Sequence, residues 1–170
     1  MANVVLTGFM GTGKTTVGRL LADRLGYEFV DTDAIIEERH GSIPQIFAAH
    51  GERTFRRYER EVAAELAARD RLVISTGGRL MLDPANAELL GGGAHVFCLT
   101  ARLDTILARV TAAGVTDERP LLAGSDVEER IARLLEARAG AYAEFAQIAT
   151  DLRTPEAVAD ELAERCRSAE

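Results

Sequence analysis

The stretch Gly8-Phe-Met-Gly-Thr-Gly13-Lys14-Thr15 constrains this chain more than any other. It follows Val4-Val5-Leu6, an apolar run of strand length, and precedes Val17, Leu20, Leu21 and Leu25, which recur at helical spacing. Gly-x-x-x-x-Gly-Lys-Thr between a strand and a helix is the pattern of a phosphate cradle. Its glycines, with Thr12 and Thr16 beside them, let backbone N–H groups converge on phosphate oxygens, and the helix N-terminus adds partial positive charge at the same place. Lys14 is placed to reach the β- and γ-phosphates of a nucleotide, and the Thr15 hydroxyl to ligate Mg²⁺. A glycine-rich turn with an ordinary surface lysine is the bland alternative, and the flanking strand and helix weigh against it.

Beyond this loop, short apolar runs alternate with helical patterns, as in a parallel sheet covered by helices. Phe29-Val30 reads as a second strand ending at Asp31, and Leu72-Val73-Ile74 and Val96-Phe97-Cys98-Leu99 as further strands buried on both faces. Ile148 and Ala149 are expected to begin a last strand. Helices are expected after the cradle up to Gly26, near 33–39, 44–50 (ended by Gly51), 55–66, 102–113 and 126–141. A closing helix should be capped by Thr154, with Pro155 at its first position. The expectation is an α/β three-layer sandwich with five strands.

At 170 residues the chain fits one domain over 1–170. Apolar residues make up 47% and charged residues 28%, as in an ordinary soluble domain. A net charge of −7 argues against a broad nucleic-acid surface. Cys98 and Cys166 are too few for a disulfide framework and match no zinc spacing. Glycines and Lys14 interrupt the first apolar run before a signal-peptide core or membrane span develops. A monomer in the cytoplasm, free of membrane, is the expectation.

Asp31-Thr32-Asp33 places two carboxylates at the C-terminal edge of the sheet, where ligands bind in open α/β folds. No acid ends the Leu72–Ile74 run, so Asp31 is the natural second holder of Mg²⁺, through water. Asp33 would face an acceptor hydroxyl, as an orienting acceptor or general base. Its bland role is an Asx-type cap on a helix starting at Ala34. A nucleotide-dependent switch or scaffold stays open as a non-enzymatic alternative. The asparagines, Asn3 and Asn86, start no guanine-reading Asn-Lys-x-Asp motif, which favours a small-molecule kinase over a guanine-nucleotide switch.

The motifs Gly-Phe-Met-Gly-Thr-Gly-Lys-Thr, Phe-Val-Asp-Thr-Asp, Ile-Phe-x-x-x-Gly-Glu-x-x-Phe-Arg, Thr-Gly-Gly, Arg-Pro-Leu-Leu and Arg-x-x-x-Tyr run in this order from residue 8 to residue 142. As a set they resemble the shikimate kinases. The resemblance implies a nucleoside-monophosphate-kinase-like fold with sheet order 2-3-1-4-5, and transfer of the ATP γ-phosphate to the 3-hydroxyl of shikimate. It implies that Asp33 contacts the acceptor hydroxyls, that Arg56 and Arg138 grip its carboxylate, and that Gly77 and Gly78 offer backbone contacts. It further implies that Arg119 sits in a lid at about 111–124 and reaches the phosphates, that Arg109 lies against adenine, and that 32–60 form the acceptor-binding segment.

One position departs from the family pattern. Arg79 stands where the family carries a third glycine, so the backbone there is strained if it needs positive φ. Arg79 either points outward beside an ordinary shikimate pocket or reshapes it for another hydroxylated acid, of the gluconate kind.

Overall fold

The computed structural model describes residues 2–113 and 126–169. Five strands, β1 (Val4–Thr7), β2 (Glu28–Asp31), β3 (Leu72–Ser75), β4 (His95–Thr100) and β5 (Ala146–Ala149), form one parallel sheet in the order 2-3-1-4-5. Each strand leads to a helix in the next element or two. The helices are α1 (Lys14–Leu25), α2 (Thr32–His40), α3 (Ile43–Ala67), α4 (Pro84–Gly91), α5 (Leu103–Ala112), α6 (Val127–Tyr142) and α7 (Pro155–Ser168).

Strand periodicity divides the core in two. Val4 and Leu6 of β1 point to the face covered by α1 and α7, where Val17, Leu21, Val158 and Leu162 meet them. Val5 points to the opposite face, against Val62 and Leu66 of α3. A third cluster joins Cys98 and Phe9 to Ile106 of α5 and Ile131 of α6. The sheet is therefore the middle of three layers, as the alternating pattern implied. Cys98 and Cys166 are both buried and are not joined in a disulfide. No helix among the described residues is long and apolar enough to cross a membrane.

The helix break expected at Gly51 is present: Gly51 takes φ 76° and ψ 170°, non-helical values, and α3 comprises the two helical segments on either side of it. Several other elements differ from expectation. Helix α4 and the 3-10 turn Leu80–Leu82 before it were not anticipated. The signal was present, since Asp83 accepts from Ala85 N and Pro84 follows at the first helical position. Ile148 and Ala149 close β5 instead of opening it, because pairing with β4 starts at Ala146 opposite Phe97. Asp31, not Asp33, caps α2: Asp31 Oδ1 accepts from the N–H groups of Asp33 and Ala34. The helix thus starts at Thr32, and Asp33 lies inside its first turn with its carboxylate free for other use.

Candidate functional site

All five strands run the same way, so their C-terminal ends share one edge, and the loops leaving that edge build the site. The first loop is the cradle. Gly8 has φ 130°, and a Cβ there would stand 2.2 Å from the Leu99 carbonyl oxygen, so only glycine lets the chain leave β1 against β4. Buried Thr12 donates its hydroxyl to Phe9 O at 2.7 Å and holds the loop's curve. Gly13 precedes α1 with φ 97°, and no side chain caps the helix and no acid lies in its first turn. The first N–H groups of α1 are left for an anion. Lys14 Nζ folds back over the loop and donates to Gly8 O and Phe9 O at 2.8 and 2.9 Å.

A cavity of about 460 Å³ adjoins this loop, lined by Gly13, Thr16, Arg109, Thr150, Arg153 and Pro155 among others. Arg109 donates to Gly11 O at 3.2 Å, to Thr150 Oγ1 at 2.9 Å and to Thr150 O at 3.0 Å. The Thr150 hydroxyl in turn reaches Thr12 O and Thr100 O. One buried hydroxyl thus ties together the cradle, the end of β4, the start of the loop after β5 and the arginine of α5. A larger depression of about 590 Å³ lies against His95 and Arg165, by the start of β4 and away from the cradle.

At the end of β2, Asp31 Oδ2 lies 3.2 Å from Thr15 Oγ1. A hydroxyl and a carboxylate are hard oxygen donors that fit Mg²⁺, an ion that keeps several waters and takes few protein ligands. Among the described residues no group of three His, Cys, Asp or Glu forms a metal cage, so the donors fit an ion carried in by phosphates.

The loop after β3 meets side chains of α2 and α6. Thr32 Oγ1 accepts from Gly77 N at 3.0 Å and draws that loop onto α2. A Cβ on Gly77 would sit 2.5 Å from Asp33 Oδ1, so the Asp33 carboxylate rests directly on the glycine backbone. Its Oδ1 is buried with no hydrogen-bond partner among the described residues. Burial pushes Asp33 up from 3.8 to about 6, helped by Asp31 and Glu59 and opposed by Lys14. A Cβ on Gly78 would meet Arg138 Nη1 at 3.3 Å, and Tyr142 donates its hydroxyl to Gly78 O. The Arg138 guanidinium also lies 5.3 Å from the Phe9 ring centre, which brings α6 to the cradle. Two side chains from distant segments, Asp33 and Arg138, therefore converge on Gly77 and Gly78, with the Lys14 charge of the cradle near enough to act on Asp33.

Arg56 stands on α3 after the Gly51 kink. It donates to Glu59 Oε2 at 2.7 Å and to Glu52 Oε1 at 3.0 Å. Burial opposes its charge, but the pairings with Glu59 and Glu52 outweigh burial and raise its pKa. Arg79 has φ −112°, an ordinary value, so the strain expected from positive φ is absent. Its guanidinium reaches Glu52 Oε1 at 3.1 Å. Arg119 and all but the first residues of the lid expected at about 111–124 lie outside the described residues. Glu52, Glu59, Thr32, Thr150 and Tyr142 carry no role in the sequence reading. Thr32, Glu52 and Tyr142 had a signal as letters of the Phe-Val-Asp-Thr-Asp, Gly-Glu-x-x-Phe-Arg and Arg-x-x-x-Tyr motifs; Glu59 and Thr150 had none.

Fold and cradle together define a class, the P-loop kinases. A family model described as shikimate kinase matches residues 10–167, and the shikimate kinase of Geobacter sulfurreducens is 49% identical over 143 residues, 84% of this chain and 77% of its own. The chain belongs to the shikimate kinase family. A shikimate kinase from Acinetobacter baumannii, solved in complex with shikimate, superposes with a TM-score of 0.91 at 36% identity, covering 100% of this chain and 95% of that one. A gluconokinase from Sinorhizobium meliloti shares the fold alone, at 18% identity, a TM-score of 0.58, and coverage of 99% of this chain and 97% of that one.

Proposed function

We propose that this protein transfers the γ-phosphate of ATP to the 3-hydroxyl of shikimate. Membership of the shikimate kinase family supports ATP as donor. The observation that carries the acceptor reading is the convergence on Gly77 and Gly78 of a carboxylate with an unpartnered buried oxygen, Asp33, and a guanidinium, Arg138. A hydroxylated ring acid needs both: a hydrogen-bond acceptor for its hydroxyl and planar cations for its carboxylate.

In this reading the backbone of Gly11, Thr12, Gly13, Lys14, Thr15 and Thr16 surrounds the donor phosphates, and Arg109 borders the adenine side. Arg56 and Arg138 hold the acceptor carboxylate, and Gly77 and Gly78 line the ring. Asp33 fixes the attacking hydroxyl and takes its proton as the new P–O bond forms and the bond to the ADP oxygen breaks. Its pKa near 6 keeps it ionised yet moderately basic at neutral pH. Lys14 and Arg119 balance the charge that develops on the transferred group. Mg²⁺, when bound through Thr15 and Asp31, supplies further neutralisation between the β- and γ-phosphates. The same reading assigns one domain over 1–170, working as a monomer in the cytoplasm.

Phosphorus NMR of the product tests this reading. Incubation with ATP, Mg²⁺ and shikimate should yield one phosphate ester coupled to the proton on the ring carbon that bears the 3-hydroxyl. Coupling to another ring position, or release of inorganic phosphate alone, would contradict it.

A further inference from the structure

Four alternating charges cross the acceptor pocket from the glycine loop to α3: Arg79, Glu52, Arg56 and Glu59. Glu59 is buried and bound to Arg56 Nη1. Glu52 is half exposed, and one of its oxygens, Oε1, receives three donors. These are Arg56 Nη2 at 3.0 Å, Arg79 Nη1 at 3.1 Å and Arg56 Nε at 3.3 Å. A carboxylate oxygen has about two lone-pair sites, so three donors overcommit it. The Nε–Nη2 edge of Arg56, one of the edges through which a guanidinium forks a carboxylate, makes both the shortest and the longest of the three.

Charge balance adds to this. On α3, Glu52 and Glu59 face the single guanidinium of Arg56. Arg79, reaching in from the glycine loop, makes two cations for two anions among these four.

We propose that Arg79 is a positioning residue for the acceptor: by taking its own share of Glu52 it frees the Nε–Nη2 edge of Arg56 for the acceptor's carboxylate. Glu52 then exchanges partners when the acceptor binds, from Arg56 to Arg79, and no charge is left unpaired. An exposed ion pair of this kind contributes little to folding; its effect is on the field and geometry at the pocket. This inference rests on the assignment of Arg56 to the acceptor carboxylate.

The test is steady-state kinetics with calorimetric binding of shikimate, on wild type and on R79A, R79K, E52Q and R79A/E52Q. R79A should raise the shikimate KM and Kd roughly fivefold, leaving kcat and the ATP KM within about twofold. R79K should recover most of the affinity, since a second cation still offsets Glu52. In the E52Q background, removing Arg79 should cost nothing. An unchanged shikimate KM in R79A would overturn the proposal. So would a fivefold loss that persists in E52Q, because Arg79 would then touch the acceptor itself. A wild type without shikimate-dependent turnover would sink the functional reading instead, and that is read before any variant is compared.

Discussion

Asp33 carries the most consequence of any single side chain here. Its unfolded carboxyl titrates at the usual 3.8 and its folded one near 6. The folded state therefore holds the proton more tightly. That contribution is complete below about 3.8 and is lost as pH rises through about 6, so at neutral pH the ionised Asp33 opposes folding. Asp33→Asn should accordingly gain more stability over wild type at pH 8 than at pH 5, by about 1–1.5 kcal/mol in urea unfolding. An equal difference at both pH values would mean that Asp33 is not perturbed. The same variant should lose roughly a hundredfold or more in kcat, and wild-type kcat/KM for shikimate should fall as pH drops through about 6. The neighbouring glycines separate two effects. Gly77→Ala drives a methyl against the Asp33 carboxylate at 2.5 Å, and should lower kcat on the order of tenfold to a hundredfold. Gly78→Ala meets only the end of Arg138 at 3.3 Å and should alter mainly the acceptor KM. Similar losses of kcat in both would contradict this division.

Elements differ in how far the sequence reveals them. The cradle is legible because strand, loop and helix are contiguous, so Gly8, Lys14 and Thr15 declare their roles within a dozen residues. Gly77 and Gly78 are ordinary glycines until the family resemblance singles them out, since their partners Asp33 and Arg138 come from far along the chain. Thr150 gives no local sign at all, and Thr32 and Glu52 stand inside motifs that say nothing of what they touch. Each is a common polar residue whose importance arises only when the sheet brings together segments 27, 45 or 138 positions apart. Strand β5 was misplaced because Ala146-Gln-Ile-Ala149 has one β-branched residue, and its register comes from β4. Thr150 offers the test at this scale. Thr150→Val keeps the shape but strips Arg109 and Thr12 of a shared partner. It should cost about 1–3 kcal/mol in stability and raise the ATP KM several-fold, with the shikimate KM unchanged. A variant that loses shikimate affinity instead would show that the hub does not serve the nucleotide side.

In the whole molecule, parallel topology does the assembling. Five strand ends on one edge bring the glycine loop before α1, the Thr15–Asp31 pair and the Asp33 and Arg138 side chains to one side of the sheet, while the covering helices bury the apolar clusters. The donor half follows from the fold and its cradle; the acceptor half depends on a few charged residues, with Arg79 as this chain's own departure. The most direct measurement is therefore ADP release from Mg·ATP with shikimate, gluconate, quinate or no acceptor, run side by side. The account predicts strong stimulation by shikimate and near-background release with the other three. Stimulation by gluconate or quinate without shikimate, or release that ignores the acceptor, would contradict it.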